Sequence, residues 1–153
     1  MSFLELRVPP LVVVVATALL MWVLADALPV LTLVLYGAVY IAVLLAAAGI
    51  AVVIAAALAF RRAGTTFDPL DPGGASALVT RGIFRISRNP MYLGFAMLLA
   101  AWAIYLANLA SFLLVFGYIA YLTRYQIIPE ERALEARFPE DFAEYSQKVR
   151  RWI

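Results

Sequence analysis

The sequence predicts an all-α integral membrane protein: about four transmembrane helices, a cytosolic loop and a C-terminal amphipathic helical segment. Three observations predict it. The 153 residues are 65% hydrophobic with a mean hydropathy of +0.92, whereas a soluble domain is roughly half apolar. Long intervals carry no charge. The basic residues, taken span by span, fall on one side. The length suits one membrane domain, 1–153, in which 1–60 form a scaffold hairpin and 61–153 carry the chemistry.

No charged residue lies between Arg7 and Asp26, between Asp26 and Arg61, or between Arg88 and Arg124. A membrane helix needs about 20 apolar residues. The first interval therefore holds a span at about residues 10–27. The second holds one at about 30–60, long enough to tilt or to project beyond the bilayer. The third interval is too long for one ordinary helix and suits two short ones, about 90–107 and 109–123, with Asn108 as the turn. A single kinked third helix is the alternative. With four spans, all 12 Lys and Arg residues precede the first span, lie between Arg61 and Arg88, or follow the fourth. The positive-inside rule then places both termini and the middle loop in the cytoplasm, of a bacterial inner membrane.

Spans one and two are rich in Ala, Val and Leu, with Gly37 and Gly49, and read as closely packed scaffold. The middle loop has turn chemistry at Thr65-Thr66-Phe67-Asp68-Pro69 and Asp71-Pro72-Gly73-Gly74. Residues 76–86 read either as a short helix or as an extended segment. Beyond the fourth span, Leu134, Phe138, Phe142, Tyr145, Val149 and Trp152 recur every three or four positions. That is a helical stripe, interrupted near Pro139. It either lies on the bilayer surface or also closes a site.

Composition excludes several chemistries. There is no cysteine and no histidine, hence no disulfide, thiolate nucleophile or imidazole base, and none of the usual zinc ligands. No metal is expected. A net charge of +2 gives little support to nucleic-acid binding. The expected partners are the lipid bilayer and a small or lipidic molecule; oligomeric state is left open.

Two groups of residues remain for chemistry. Arg88-Asn89-Pro90-Met91-Tyr92-Leu93-Gly94 stands where a basic loop enters an apolar run. Pro90 suits a first helical position, Gly94 allows close approach of a backbone or a ligand, and helix-start N–H groups favour anions. Glu130 and Glu131 follow the fourth span, just after Arg124-Tyr125-Gln126. A hairpin of spans three and four brings the two groups together at one membrane boundary. Such a site suits a ligand with ammonium, carboxylate and a flat ring.

The run Leu78-Val79-Thr80-Arg81-Gly82-Ile83-Phe84, followed by Arg88-Asn89-Pro90-Met91-Tyr92-Leu93-Gly94, resembles the isoprenylcysteine carboxyl methyltransferases and the related phospholipid methyltransferases. So does the later block Glu130-Glu131, Leu134, Phe138, Phe142, Tyr145, Val149, Arg151. The resemblance covers about residues 65–152. It implies S-adenosylmethionine (SAM) as methyl donor, with Ser76, Ala77, Leu78 and Val79 lining the cofactor and Phe84 flanking its adenosine. Arg88, Asn89, Pro90, Met91 and Tyr92 would hold it, and Glu130 would bind its ammonium group. Arg124 or Gln126 would face the methyl acceptor, and Arg124, Glu131 and Tyr92 are the catalytic candidates. Two positions depart from the family pattern. Asn89 stands where His is common, which excludes a base there, and Phe138 is followed by Pro139 rather than Gly.

Displacement on a sulfonium by an anionic acceptor cancels charge, a change that a dry pocket favours and that in-line positioning assists. A carboxylate or thiolate arrives charged; an amine must lose a proton, to Glu131 or Tyr92. An already anionic acceptor is therefore favoured, and the resemblance implies a carboxylate of the isoprenylcysteine type, with a phospholipid amine or a small thiol as alternatives. Outside methyl transfer stand a four-span transporter, a non-catalytic scaffold and a reductase. The transporter reading lacks an ionisable residue within a span.

Overall fold

The computed structural model describes residues 5–65 and 76–153. Most of the turn chemistry expected at 65–74 lies outside the described residues. Helix α1 spans Pro10–Ala27, α2 Ala38–Arg62, α3 Pro90–Leu106, α4 Leu109–Leu122, α5 Ile128–Arg137 and α6 Pro139–Lys148. A π-helical turn at Thr123–Ile127 joins α4 to α5, so that one helix of 29 residues runs from Leu109 to Arg137. Three helices are long and apolar enough to cross a membrane, α1, α2 and this composite one; α3 is a shorter apolar helix. The all-α membrane architecture expected from composition is thus present.

Two boundaries differ from the expectation. The second span begins at Ala38, not near residue 30. A 3-10 turn at Pro29–Leu31 and a left-handed Gly37 (φ 72°) consume the intervening residues. Apolar composition could not reveal this, because the turn residues are as greasy as the helix. The fourth span does not stop near Thr123 but continues through Ile127 into α5.

Helices α2 and α3 pack along each other, and α1 lies against α4 and α3. Gly49 and Gly94 make the first contact possible. A Cβ on Gly49 would lie 2.9 Å from the Gly94 carbonyl oxygen, and one on Gly94 would lie 2.6 Å from Val53 Cγ2. Of the two partners expected for Gly94, the backbone of α2 is the one found.

At the end of the bundle remote from the basic residues, Asn108 is fully buried. Its Oδ1 accepts from the Ala110 N–H and caps α4; its Nδ2 donates to the Leu28 carbonyl at 3.0 Å. The Asn108 turn therefore also fastens the turn after α1. Trp102 Nε1 donates to the Ala18 carbonyl, and Ser111 Oγ to that of Met21. In an apolar interior such bonds replace those that water cannot supply.

Candidate functional site

The chemistry gathers at the opposite end, where α3 begins and α4 gives way to α5. Pro90 occupies the first helical position and is buried. Tyr92, two residues on, points its phenol into the interior and donates to Glu130 Oε1 at 2.5 Å. Gln126 Nε2 donates to the same oxygen at 2.5 Å. All three residues are buried. Among the described residues, the hydrogen-bond partners of Glu130 are these two neutral groups. Burying a carboxylate is costly unless donors replace its water; burial pushes Glu130 up to about 7, against the opposing pull of these two donors.

The π turn makes this alignment. The Ile128 N–H reaches back to the Thr123 carbonyl, five residues away. Tyr118, Leu122, Gln126 and Glu130 are all buried, at a strict spacing of four. A regular helix turns about 100° per residue, so it would rotate Glu130 about 120° away from Tyr118. Absorbing one residue in the π turn leaves a mismatch of about 20°.

Glu131 faces a different set of groups. Arg88 Nη2 donates to its Oε1 at 2.7 Å, and Arg151 Nη2 to its Oε2 at 2.6 Å. The side chains of Arg88 and Glu131 are 13% and 16% exposed, so this ion pair is shielded. The hydrogen bond to Glu131 raises the Arg151 guanidinium above its ordinary range. Arg88 Nη1 also donates to the carbonyls of Ser146 and Val149, both at 3.0 Å. Asn89 Nδ2 donates to the Arg151 carbonyl at 2.9 Å, and the Arg88 N–H to that of Arg150. The Arg88-Asn89 pair thus grips the chain after α6 and folds the C-terminal stripe over the site. The stripe packs onto the loop before α3 and onto α2: Phe142, Tyr145 and Val149 are buried with Val79, Phe84 and Ala56.

Between this stripe and the loop before α3 lies a cavity of about 850 Å³. Ser76, Ala77 and Leu78 line it, opposite Asp141, Tyr145 and Val149, with Arg81 and Arg85 also in its wall. Val79 is instead turned into the buried cluster, together with Phe84, whose ring meets Phe60 edge-on at 5.2 Å. The loop before α3 is a 3-10 turn, Gly82–Arg85, entered through Gly82 at φ 65°. Tyr145 donates to the Phe84 carbonyl at 2.7 Å. Its burial pushes the phenol above its ordinary range, with Arg88 acting in the opposite sense. Met91 packs on the same cluster.

Arg124 is not brought to Tyr92 and Glu130. It is half exposed and pairs with Glu5 at 2.9 Å. Gln126, its rival for the acceptor-facing role, is the residue that turns inward. Glu5 and the π turn had no signal in the sequence. Arg151 had one, since it follows Val149 at the end of the stripe, but its carboxylate partner could not be read from spacing.

A model of the phospholipid methyltransferase family matches residues 37–141. A protein of Haemophilus influenzae, described only as uncharacterized, is 40% identical over 63 residues, which is 41% of this chain and all of that protein. No solved structure matches the chain. The matched segment takes in α2, α3, the composite helix and both halves of the Tyr92–Glu130 contact, and the chain belongs to the phospholipid methyltransferase family of integral membrane methyltransferases.

Proposed function

We propose that this protein transfers a methyl group from SAM to the head of a lipidic acceptor at the cytoplasmic face of the membrane. The observation that carries the reading is Glu130: a buried carboxylate held by neutral donors, on the same helix turn as a carboxylate already committed to two guanidiniums. A carboxylate in that state attracts a cation, and SAM offers an ammonium group. The cavity lined by Ser76, Ala77 and Leu78 has room for a nucleoside. When bound, SAM would supply an electrophilic methyl on a sulfonium.

The roles of the chain's own residues follow from their chemistry. Glu130 binds the ammonium, and Tyr92 and Gln126 fix the carboxylate's rotamer. Ser76, Ala77 and Leu78 form the cofactor wall, while Val79, Phe84 and Met91 support it from behind. Arg88, Asn89 and Glu131 hold the C-terminal segment over the site and exclude water, which strengthens electrostatic interactions beneath it. Residues 1–60 act as scaffold, and 61–153 as the catalytic half of a single domain.

The acceptor is a membrane-partitioning molecule whose head sits at the boundary. A carboxylate head of the isoprenylcysteine type needs no base, which suits a site whose Glu131 already shares its oxygens with Arg88 and Arg151. A phospholipid amine is the second reading, favoured by the family match. Protein reconstituted with methyl-labelled SAM, and either N-acetyl-S-farnesylcysteine or phosphatidylethanolamine vesicles, tests both. Label is expected in one lipid extract and lost in Glu130→Ala. If the protein neither binds SAM nor labels either lipid, the proposal fails.

A further inference from the structure

The segment before α1 is fastened to the π turn and to α5. The Leu6 N–H donates to the Tyr125 carbonyl at 3.1 Å. Glu5, whose side chain is only 6% exposed, receives Arg124 at 2.9 Å and Arg132 at 3.1 Å. Leu6 is held at φ 56°, a left-handed conformation that a leucine keeps only where its surroundings dictate it. Arg124 lies within the π turn and Arg132 in α5, so one carboxylate bridges residues on either side of Gln126 and Glu130.

A π turn is a helix with one residue too many, and winding it as α-helix shifts the register beyond it. Here a register change would rotate Glu130 relative to Gln126 and break their shared geometry with Tyr92. The Leu6 bond engages a carbonyl inside the turn itself, and Glu5 spans the turn from outside. Trp152 Nε1 also donates to Thr123 Oγ1 at 3.1 Å. The turn is thus held by two segments distant from it in sequence.

We propose that Glu5 and Leu6 form a strap that positions Glu130 by locking the register of the π turn. Arg124 then serves as an anchor of the strap rather than as a group that touches the acceptor. Glu5 is a positioning residue: it acts on the cofactor site through Arg124, Arg132 and the turn. The functional half of this inference rests on Glu130 binding SAM; the structural half does not.

Two measurements on the full chain in lipid nanodiscs separate these halves. Hydrogen exchange of the amides at 123–130, without ligand, is expected to quicken about tenfold in Glu5→Gln relative to the parent. Unchanged exchange would overturn the strap. SAM affinity is expected to weaken about tenfold in Glu5→Gln and less in Glu5→Asp. In a Glu130→Gln background, Glu5→Gln should add less than about twofold, because coupled residues are non-additive. Full additivity would mean that Glu5 supports the fold in general and does not position Glu130. A parent protein that fails to bind SAM would overturn the cofactor reading, while the exchange result would still decide the strap.

Discussion

Tyr92 and Glu130 meet in a 2.5 Å hydrogen bond that ties the first turn of α3 to the first turn of α5. The contact joins two blocks that lie 38 residues apart in the chain. Gln126 donates to the same carboxylate oxygen, also at 2.5 Å. Tyr92→Phe removes one donor and keeps the ring. Hydrogen bonds to charged groups contribute about 1.5–3 kcal/mol. SAM affinity should therefore fall at least about tenfold, with helical content by circular dichroism unchanged. An affinity equal to that of the parent would show that Gln126 alone holds Glu130.

Glu131→Ala should act on stability before anything else. It leaves the shielded Arg88 guanidinium without its carboxylate and frees Arg151. Breaking a buried pair costs about 3–5 kcal/mol; the partial exposure of this one brings the expectation to about 2 kcal/mol. Thermal melts followed by tryptophan fluorescence, to which Trp152 contributes, should show a lower midpoint. Arg151→Ala should cost less, since Arg88 remains.

Gly94→Ala should pry α2 from α3. The new Cβ would meet Val53 Cγ2 at 2.6 Å and the Gly49 carbonyl oxygen at 2.8 Å. The second of these is backbone and cannot swing aside. Overpacking of this kind costs about 1–3 kcal/mol. Gly117→Ala is the matched control, because nothing lies within 4 Å of its Cβ position. Equal melting points for the two variants would contradict the close approach.

Asn108→Ala should loosen the far end of the bundle. It deletes the cap on α4 and the bond to Leu28. Loss of such a cap costs about 1 kcal/mol, and the orphaned Leu28 carbonyl adds to it. Faster hydrogen exchange confined to the turns at 28–33 and 107–111 would be the signature; uniform exchange across the chain would not support it.

Tyr118→Phe should be neutral or slightly stabilising. Its hydroxyl is buried with no hydrogen-bond partner among the described residues, and such a group costs about 1–3 kcal/mol to bury. A clear drop in melting temperature would mean that the hydroxyl has a partner in the bilayer-embedded protein.

Apolar runs and the placement of basic residues were enough to indicate the helices, and Asn108 marked its own turn. Proximity of the Arg88–Tyr92 and Glu130–Glu131 blocks followed from hairpin topology. Other features were not legible for definite reasons. The turn at 29–37 is written in apolar residues, so its composition matches that of a span. Both glutamates look alike in sequence, and only tertiary partners divide them into one held by neutral donors and one held by arginines. Gln126 and Arg124 sit two residues apart, and a period of 3.6 cannot say which faces inward when the helix changes pitch between them. Glu5 carries no local pattern at all, since its partners are more than a hundred residues away.

The π turn has a consequence for anyone who would shorten or borrow this helix. Winding Thr123–Ile127 as plain α-helix with every residue kept would swing each side chain beyond it by about 100°, whereas deleting one residue there would remove the surplus and leave Glu130 at its present angle. In the first case Glu130 would take the direction that Glu131 now has, without any change in its identity. What distinguishes the two carboxylates is the winding of the backbone upstream. A transplanted motif that preserved every side chain but wound this turn as ordinary α-helix would turn Glu130 out of the interior.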